Sequence, residues 1–256
     1  AGDDFTMAAG ASVSASGSVT ITANAGSADT TGAITLTDGS MVSSTGGGNV
    51  DLLATSDISL SAVSTSGAVT VTSTGGSIID NGDAGTDISS ASAVLTASGS
   101  VGQADGAGNG QLDTTLARVE VAAASGGVFL SNSTDLEVGG IGAATGISAG
   151  SDVDLDVTGS LTVSEAVSSG AALTFDTTND VTVNDAVQAT SGLAISAGTD
   201  ASGSITVGAG GSLTTTGGGA NLLLTTGTSS GNISLAGNVT SASDLTISTF
   251  AGGTVD

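Results

Sequence analysis

The chain lacks most of the side chains on which catalysis, metal binding and phosphate binding usually depend. It contains no Cys, His, Lys, Pro, Trp or Tyr, and Arg118 is its only basic side chain. Without Cys and His it has no disulfide framework, zinc site, thiol nucleophile or imidazole base. Without Lys it has no Schiff base and no P-loop lysine. These absences predict a protein that is not an enzyme, and we assign no catalytic, cofactor-binding or metal-binding residue.

Positive charge and long apolar runs are equally scarce. The chain has 24 acidic residues against one basic residue, and its formal net charge at pH 7 is -23. Phosphate groups would repel such a chain, so we expect no nucleic-acid partner. No apolar run approaches the roughly 18 residues that a transmembrane helix needs, so we expect no membrane insertion.

Aromatic side chains are too few to fill a wide core. The only ones are four Phe residues among 256 residues. Disorder is not expected either, because the chain is 38% hydrophobic and rich in Val, Ile and Leu. The composition therefore predicts a narrow core of small aliphatic side chains surrounded by Gly, Ser, Thr and Asp.

Short triplets of the form apolar-polar-apolar recur along the whole chain. Alternation with a period of two, carried by β-branched residues, predicts strands with one buried and one exposed face. Ser-Gly, Asn-Asp and Gly-Gly pairs between the triplets favour turns, and helical periodicity is almost absent. The triplets include Val19-Thr20-Ile21, Ile34-Thr35-Leu36, Ile58-Ser59-Leu60, Val69-Thr70-Val71, Val153-Asp154-Leu155, Val181-Thr182-Val183 and Ile205-Thr206-Val207.

Many of the apolar positions recur at an interval of about 20 residues, which is typical of a solenoid. We therefore predict an all-β fold: one continuous parallel β-solenoid over residues 1–256, with about 20 residues per turn and roughly 12 to 13 turns. The alternative is an antiparallel sandwich, which also has short strands and frequent turns. The pairs at this interval are Leu161 and Val181, Val153 and Leu173, Leu173 and Leu193, Val167 and Val187, Leu213 and Ile233, Ile58 and Ile78, Leu116 and Leu136, and Ile141 and Leu161.

One stretch, around residues 80–124, interrupts the periodicity. We interpret it as an irregular coil with a longer loop, followed by a return to register at Val128. The single basic residue lies in this stretch. We expect Arg118 to form an ion pair with a nearby carboxylate such as Asp113 or Glu120, although a binding role for this lone cation is the alternative.

Two segments resemble the repeats of filamentous-haemagglutinin-like bacterial surface exoproteins. They run from Val181 through Val187 to Leu193, and from Val101 through Leu112-Asp-Thr-Thr-Leu116 to Leu130. The resemblance implies a right-handed parallel β-helix that is exported to the cell surface and serves as an adhesin, in biofilm or in surface fibres. It also implies a segment of a longer chain or a repeating fibre unit. The expected partners are other copies of the chain or the remainder of a longer chain, joined through open solenoid ends, with a cell-surface or matrix ligand left open.

Carboxylates are the only plentiful reactive groups, and the predicted register stacks several of them. It places Asp156 next to Asp176, Glu165 next to Asp185, and Asp180 next to Asp200. Like charges one strand apart repel unless solvent screens them or a hard cation binds between them. Calcium at these positions is therefore one hypothesis, and a solvated acidic face is the other. The segment from Gly46 to Leu53 nearly fits a calcium-binding nonapeptide, but a single copy is more typical of a Gly-rich turn.

The sequence thus predicts a non-catalytic, extracellular structural rod of a bacterial surface adhesin or fibre. The alternative is a binding module on a solenoid face. Such a face would bind ice through outward threonines, as in Thr20-Ile21-Thr22 and Thr70-Val71-Thr72, or would mediate calcium-dependent adhesion to glycans or surfaces. A glycosidase based on paired carboxylates is disfavoured, because no Trp or Tyr is present to stack on a sugar.

Overall fold

A computed structural model describes residues 3–24, 31–82, 85–104, 110–142, 146–199, 202–227, 230–250 and 252–256, and every regular element within these ranges is a β-strand. Most strands are three to six residues long, as expected from the short triplets. In chain order they are β1 (Phe5–Met7), β2 (Ser12–Ala15), β3 (Val19–Thr22), β4 (Ile34–Leu36), β5 (Met41–Ser44), β6 (Val50–Ala54), β7 (Ile58–Leu60), β8 (Ala62–Thr65), β9 (Ala68–Ser73), β10 (Ile78–Asp80), β11 (Ile88–Ala97), β12 (Leu112–Ala123), β13 (Val128–Asn132), β14 (Leu136–Val138), β15 (Ile147–Ala149), β16 (Val153–Val157), β17 (Leu161–Val163), β18 (Val167–Ser169), β19 (Ala172–Thr177), β20 (Val181–Val183), β21 (Ala186–Ala189), β22 (Gly192–Ala197), β23 (Ile205–Val207), β24 (Ser212–Thr215), β25 (Asn221–Thr226), β26 (Ile233–Leu235), β27 (Asn238–Thr240) and β28 (Leu245–Ser248).

The strands are stacked turn upon turn. Over most of the chain each strand pairs with the strand three positions later, so that β1, β4 and β7 form one stack, β2, β5 and β8 a second, and β3, β6 and β9 a third. The pairs between strands of successive turns in the described ranges are all parallel. The prediction of an all-β parallel solenoid is confirmed, and the antiparallel sandwich is wrong.

The length of a turn varies more than predicted. The register partners in one stack keep the predicted interval from Ile58 to Ile78 and from Val153 through Leu173 to Leu193, but a much longer segment separates Phe5 from its partner Ile34. The chain therefore makes fewer turns than predicted. The stack consists of Phe5, Ile34, Ile58, Ile78, Val101, Val128, Val153, Leu173, Leu193, Leu222 and Leu245.

The additional residues lie in the connections between strands, so they lengthen a turn without disturbing the stacked strands. Two of the predicted pairs fail for this reason, and a third fails because its turn is one residue shorter than predicted. Leu213 pairs with Val239 rather than with Ile233, and Leu161 pairs with Leu136 rather than with Ile141. Leu116 and Leu136 are not partners, since the register of that pair of strands joins Arg118 to Glu137.

The core is a single column of aliphatic side chains running through the stacked turns. The apolar members of the triplets point inward and are buried, and Phe175, between Leu155 and Ile195, is the largest of the fully buried side chains. Small hydroxyl residues end several strands and also point inward. The Ser73 hydroxyl, for example, donates to the carbonyl of Ser56 at 2.7 Å, and the Thr65 hydroxyl donates to the carbonyl of Gly48. These hydroxyls satisfy turn carbonyls that would otherwise be buried without a partner.

The stretch predicted to be irregular contains the two longest strands, β11 with ten residues and β12 with twelve. Each strand continues across more than one face: β11 pairs with β8 and β9 of the preceding turn, and β12 with β13, β14 and β15 of the following turn. Between them, Val101 bridges Ile78 and Val128 and keeps the stack continuous. The connection between them includes residues 105–109, which lie outside the described ranges.

Candidate functional site

The corners of the solenoid carry ladders of side-chain hydrogen bonds that join successive turns. The carboxylate of Asp57 accepts the main-chain N–H of Ser77 at 2.8 Å. The Ser77 hydroxyl oxygen accepts the N–H of Ser100 at 3.1 Å, and the Ser100 hydroxyl oxygen accepts that of Gly127 at 3.2 Å. Each of these residues directly precedes an inward-pointing strand residue. The side-chain oxygen of each therefore accepts the main-chain N–H of the residue that occupies the same position in the next turn.

The same arrangement recurs at other corners and engages several of the acidic residues. It was not predicted from the sequence, although Asp directly before an apolar triplet was a visible signal, as in Asp57-Ile58 and Asp180-Val181. In an Asx-type cap the side-chain oxygen substitutes for a main-chain acceptor in the same way. The further acceptor and donor pairs are Asp4 and Ala33, Asn49 and Ala68, Asp135 and Ser160, Asp152 and Ala172, Asp180 and Ser204, Asn221 and Asp244, and Asn232 and Thr254.

The predicted stacking of acids is only partly reproduced. Asp156 and Asp176 are register partners, as predicted, and the amide of Gln111 donates to the Asp156 carboxylate at 2.8 Å. The register partner of Asp180 is Ser204, because Val181 pairs with the residue that follows it, Ile205. Asp200, the partner predicted for Asp180, lies outside the described residues.

The third predicted pair, Glu165 and Asp185, lies in a segment where Val163 pairs with Val183 and Val167 with Val187, so the predicted interval is kept. The Glu165 carboxylate, however, accepts hydrogen bonds from Gly140 and Gly146 in the preceding turn. Among the described residues, no group of three or more acidic, His or Cys side chains is arranged to hold a metal ion. The Gly-rich segment that begins at Gly46 forms a turn leading into β6.

The single basic residue pairs with a carboxylate, but not with either of the expected ones. Arg118 Nε donates to Glu137 Oε2 at 2.9 Å, across the interface between β12 and β14. The prediction of Asp113 or Glu120 was wrong because in a parallel solenoid the nearest exposed neighbour belongs to the next turn. Hydrogen bonds from the Ser164 hydroxyl and from Arg118 hold the pKa of Glu137 below its ordinary value of 4.5, against a smaller opposing effect of burial.

All three glutamates of the chain lie around this ion pair, and we call Arg118, Glu120, Glu137 and Glu165 the glutamate corner. Glu120 is completely buried, and its Oε1 accepts the N–H groups of Ile141 at 2.8 Å and Gly142 at 3.2 Å. Its Oε2 is buried without a hydrogen-bond partner.

The connection between β14 and β15 is thus held by two carboxylates from different turns. Glu120 contacts it from the preceding turn, and Glu165 contacts it from the following turn through Gly140 at 3.1 Å and Gly146 at 2.9 Å. No sequence pattern indicated this burial, because the covering segment comes from the next turn.

Two open clefts of about 320 Å³ each lie along the corner that contains Asp135 and Asp180. The first also touches Glu137 and Leu136, and its lining is about equally polar and apolar. The second is lined mainly by carboxylate, hydroxyl and amide groups. A third cleft of about 280 Å³ is more apolar and includes Phe250. Neither of the first two offers an aromatic ring on which a sugar would stack.

The outward threonines do not form a regular face. Between Thr20 and Thr70 the register places Asp51, and between Thr22 and Thr72 it places Leu53. An ice-binding surface needs the same uncharged residues on many consecutive turns, so this part of the alternative is not supported by the arrangement.

Comparison with known proteins identifies no relative of this chain. No family model, curated protein or solved structure matches the chain. The described residues contain no helix that is long and apolar enough to cross a bilayer.

Proposed function

We propose that the protein is a non-catalytic structural rod of a bacterial surface adhesin or fibre and that it works outside the cell. One observation carries the proposal: the β-ladder continues from Phe5 to Leu245 through one stack of parallel strands. In such a ladder the main-chain hydrogen bonds run along the long axis, and every turn is held by its two neighbours. This architecture suits a stiff support.

The side chains support the same function. In another fold, such Asp, Asn and Ser side chains would be candidates for catalytic or binding roles. At the corners of this solenoid they accept hydrogen bonds that join successive turns. The carboxylates that line the open clefts have no His, Lys or Cys beside them, since the chain contains none. The high negative charge keeps such rods soluble and discourages lateral association.

The edge of the last described turn supports the proposed association through solenoid ends. Leu245, Phe250 and Val255 are large apolar side chains that remain exposed there, beside strand edges that pair on one side only. An unpaired parallel edge with apolar side chains is complementary to another turn of the same kind. We therefore expect this edge to pack against a further solenoid turn, either of the same polypeptide or of a second copy.

Immunogold labelling tests the location and the structural role together. Antibodies raised against the purified chain are applied to intact and to permeabilised bacteria that produce it. We expect gold particles on the surface or on fibres of intact cells. Labelling confined to the interior of permeabilised cells would contradict the proposal.

A further inference from the structure

The ladder that joins the turns has a direction, and it is left open at the last strand of the main stack. Inward residues direct their main-chain groups to the following turn: the N–H of Leu222 donates to the carbonyl of Asp244 at 2.9 Å, and the carbonyl of Met7 accepts the N–H of Thr37 at 3.1 Å. Leu245 is an inward residue of β28, which pairs with β25 alone in the described part of the chain. Its N–H and C=O therefore face the space beyond the last turn.

The apolar side chains at this edge lack the cover that a following turn provides. Leu222 and Leu224, one turn earlier, are completely buried, whereas Leu245 is 46% exposed and Ile247 is partly exposed. Val255, on the neighbouring face, is 51% exposed. One more turn would cover these side chains and extend the aliphatic core.

Asp244 lies at the corner position that caps the next turn. At the same position of the first turn, the Asp4 carboxylate accepts the N–H of Ala33 at 2.9 Å, and one turn before the last, the Asn221 side chain accepts the N–H of Asp244 itself at 3.2 Å. Within the described ranges, the hydrogen bonds of Asp244 involve its main chain only. Its carboxylate is therefore placed to accept the N–H of a corner residue in a further turn.

The first turn of the same chain offers the matching groups. Its strand β1 belongs to the same stack as β28 and has the same order of apolar residue, Thr and apolar residue, Phe5-Thr6-Met7 against Leu245-Thr246-Ile247. Among the described strands, β1 pairs with β4 alone. Asp4 is the corner residue before β1, and its N–H and C=O face away from the second turn. They are the groups that the carboxylate of Asp244 and the N–H of Leu245 require.

We propose that the last turn binds the first turn of a second copy of this chain, head to tail, so that β1 of the second copy continues the stack beyond β28. Leu245 then lies beside Phe5 of the second copy, and the Asp244 carboxylate accepts the N–H of Asp4. The two edges cannot meet within one molecule, because the stack between them is roughly 50 Å long. The inference rests on the structural role proposed above and deepens it by naming the partner and the register.

Charge opposes this association and makes it depend on salt. Each copy carries a formal net charge of -23, and the carboxylates of Asp244 and Asp4 would lie one strand apart. The fold already contains such a step, since the Asp87 carboxylate accepts the N–H of Asp113 at 2.9 Å. Salt screens repulsion between exposed carboxylates and leaves apolar contacts in place. We therefore expect the association to strengthen as the NaCl concentration is raised.

Crosslinking of the purified full chain tests the register, and no native Cys interferes. Thr6→Cys and Thr246→Cys are made as separate variants, because both side chains are exposed on the outside of their strands and would become neighbours in the proposed register. Under mild oxidation in NaCl, we expect a mixture of the two variants to form mixed dimers and each variant alone to remain monomeric. The control is Thr6→Cys mixed with Thr174→Cys, since Thr174 lies on an internal turn; this mixture remains monomeric.

Two results would overturn the proposal, provided that circular dichroism shows both variants to be folded. Dimers of Thr246→Cys with itself would mean that two last turns meet. Absence of mixed dimers would mean that the turn beyond β28 does not come from a second copy. Neither result bears on the location of the protein at the cell surface, which immunogold labelling tests separately.

Analytical ultracentrifugation of chains without introduced Cys provides a second measurement. Asp244→Asn and Asp244→Ala both remove the negative charge, but only Asn keeps an oxygen for the N–H of Asp4. We expect the association constant of the Asn variant to exceed that of the Ala variant about fivefold, which is the usual effect of one side-chain cap. Equal constants in the two variants, or a wild type that stays monomeric at every NaCl concentration, would overturn the proposal.

Discussion

An Asp side chain that directly precedes an inward strand residue accepts a hydrogen bond from the main chain of the following turn. Asp57, Asp135 and Asp180 each accept such a bond at 2.8 Å. The N–H groups concerned lie where the chain bends between strands and would otherwise depend on water. At the scale of single residues, several of the acidic side chains therefore serve to join turns.

Replacement of Asp57 tests this role. We expect Asp57→Ala to lower the free energy of unfolding by about 1 kcal/mol, the usual cost of losing a side-chain cap, because the N–H of Ser77 loses its acceptor. Asp57→Asn removes the same negative charge but retains an oxygen, so its loss is expected to be smaller. Urea unfolding monitored by circular dichroism provides the measurement, and equal losses in the two variants would contradict the capping role.

Residues whose partners lie one turn away are the ones that sequence patterns could not place. The partners expected for Arg118 were Asp113 and Glu120, which are close to it along the chain. The parallel register instead brings Glu137 beside Arg118. Glu120 alternates with buried residues, so the pattern predicts that its side chain points outward and is exposed. It is nevertheless completely buried, because the connection after β14 folds over it. Contacts of this kind depend on the length of each turn, which local patterns do not set.

At the scale of elements, the packing of successive turns at the corners contributes to stability together with the pairing of the strands. Glycines of successive turns lie against one another at several corners, and a Cβ on Gly170 would meet the carbonyl of Gly150 in the turn before. The N–H of Gly170 also donates to the carbonyl of Ala149 at 3.0 Å, which fixes the approach of the two turns. The corner is therefore too narrow for a side chain at this position.

Gly170→Ala is expected to destabilise the protein by about 1–3 kcal/mol, the usual range for overpacking a close-packed position. The matched control is Gly218→Ala, since a Cβ on Gly218 has no atom within 4 Å. Alanine at an open position of this kind is neutral or slightly stabilising. Thermal unfolding of both variants provides the comparison, and a loss of stability as large in Gly218→Ala would contradict the explanation from corner packing.

The elements themselves were predictable because one face of each strand is buried. Val153, Leu155 and Val157 alternate with Asp154 and Asp156, and the structure buries the first set and leaves the second partly exposed. This alternation follows from the geometry of a single strand, so it is visible in the sequence. The long strands β11 and β12 were not predicted, because they continue past a corner that elsewhere contains a turn.

At the scale of the whole molecule, the fold class followed from the spacing of the triplets, but the length of the rod did not. The predicted interval holds from Val153 through Leu173 to Leu193, whereas a longer connection separates Val181 from its partner Ile205. Ten steps of about 4.8 Å from Phe5 to Leu245 correspond to a stack roughly 50 Å long. Stability is distributed along this stack as contacts between neighbouring turns.

Disulfide crosslinking tests the stacked parallel register most directly, because the chain contains no Cys that would interfere. Thr182 and Thr206 are register partners on the outer face of β20 and β23. A strict repeat of the predicted interval would instead place Ser202 beside Thr182. Partners in neighbouring strands lie within the separation that a disulfide spans.

We expect that Thr182→Cys combined with Thr206→Cys forms an intramolecular disulfide under mild oxidation, detected by mass spectrometry. Thr182→Cys combined with Ser202→Cys remains reduced under the same conditions and is the control. A disulfide in the second pair and none in the first would contradict the observed register. Failure of both pairs in a folded protein would contradict the parallel stacking of these turns, on which the proposed structural role depends.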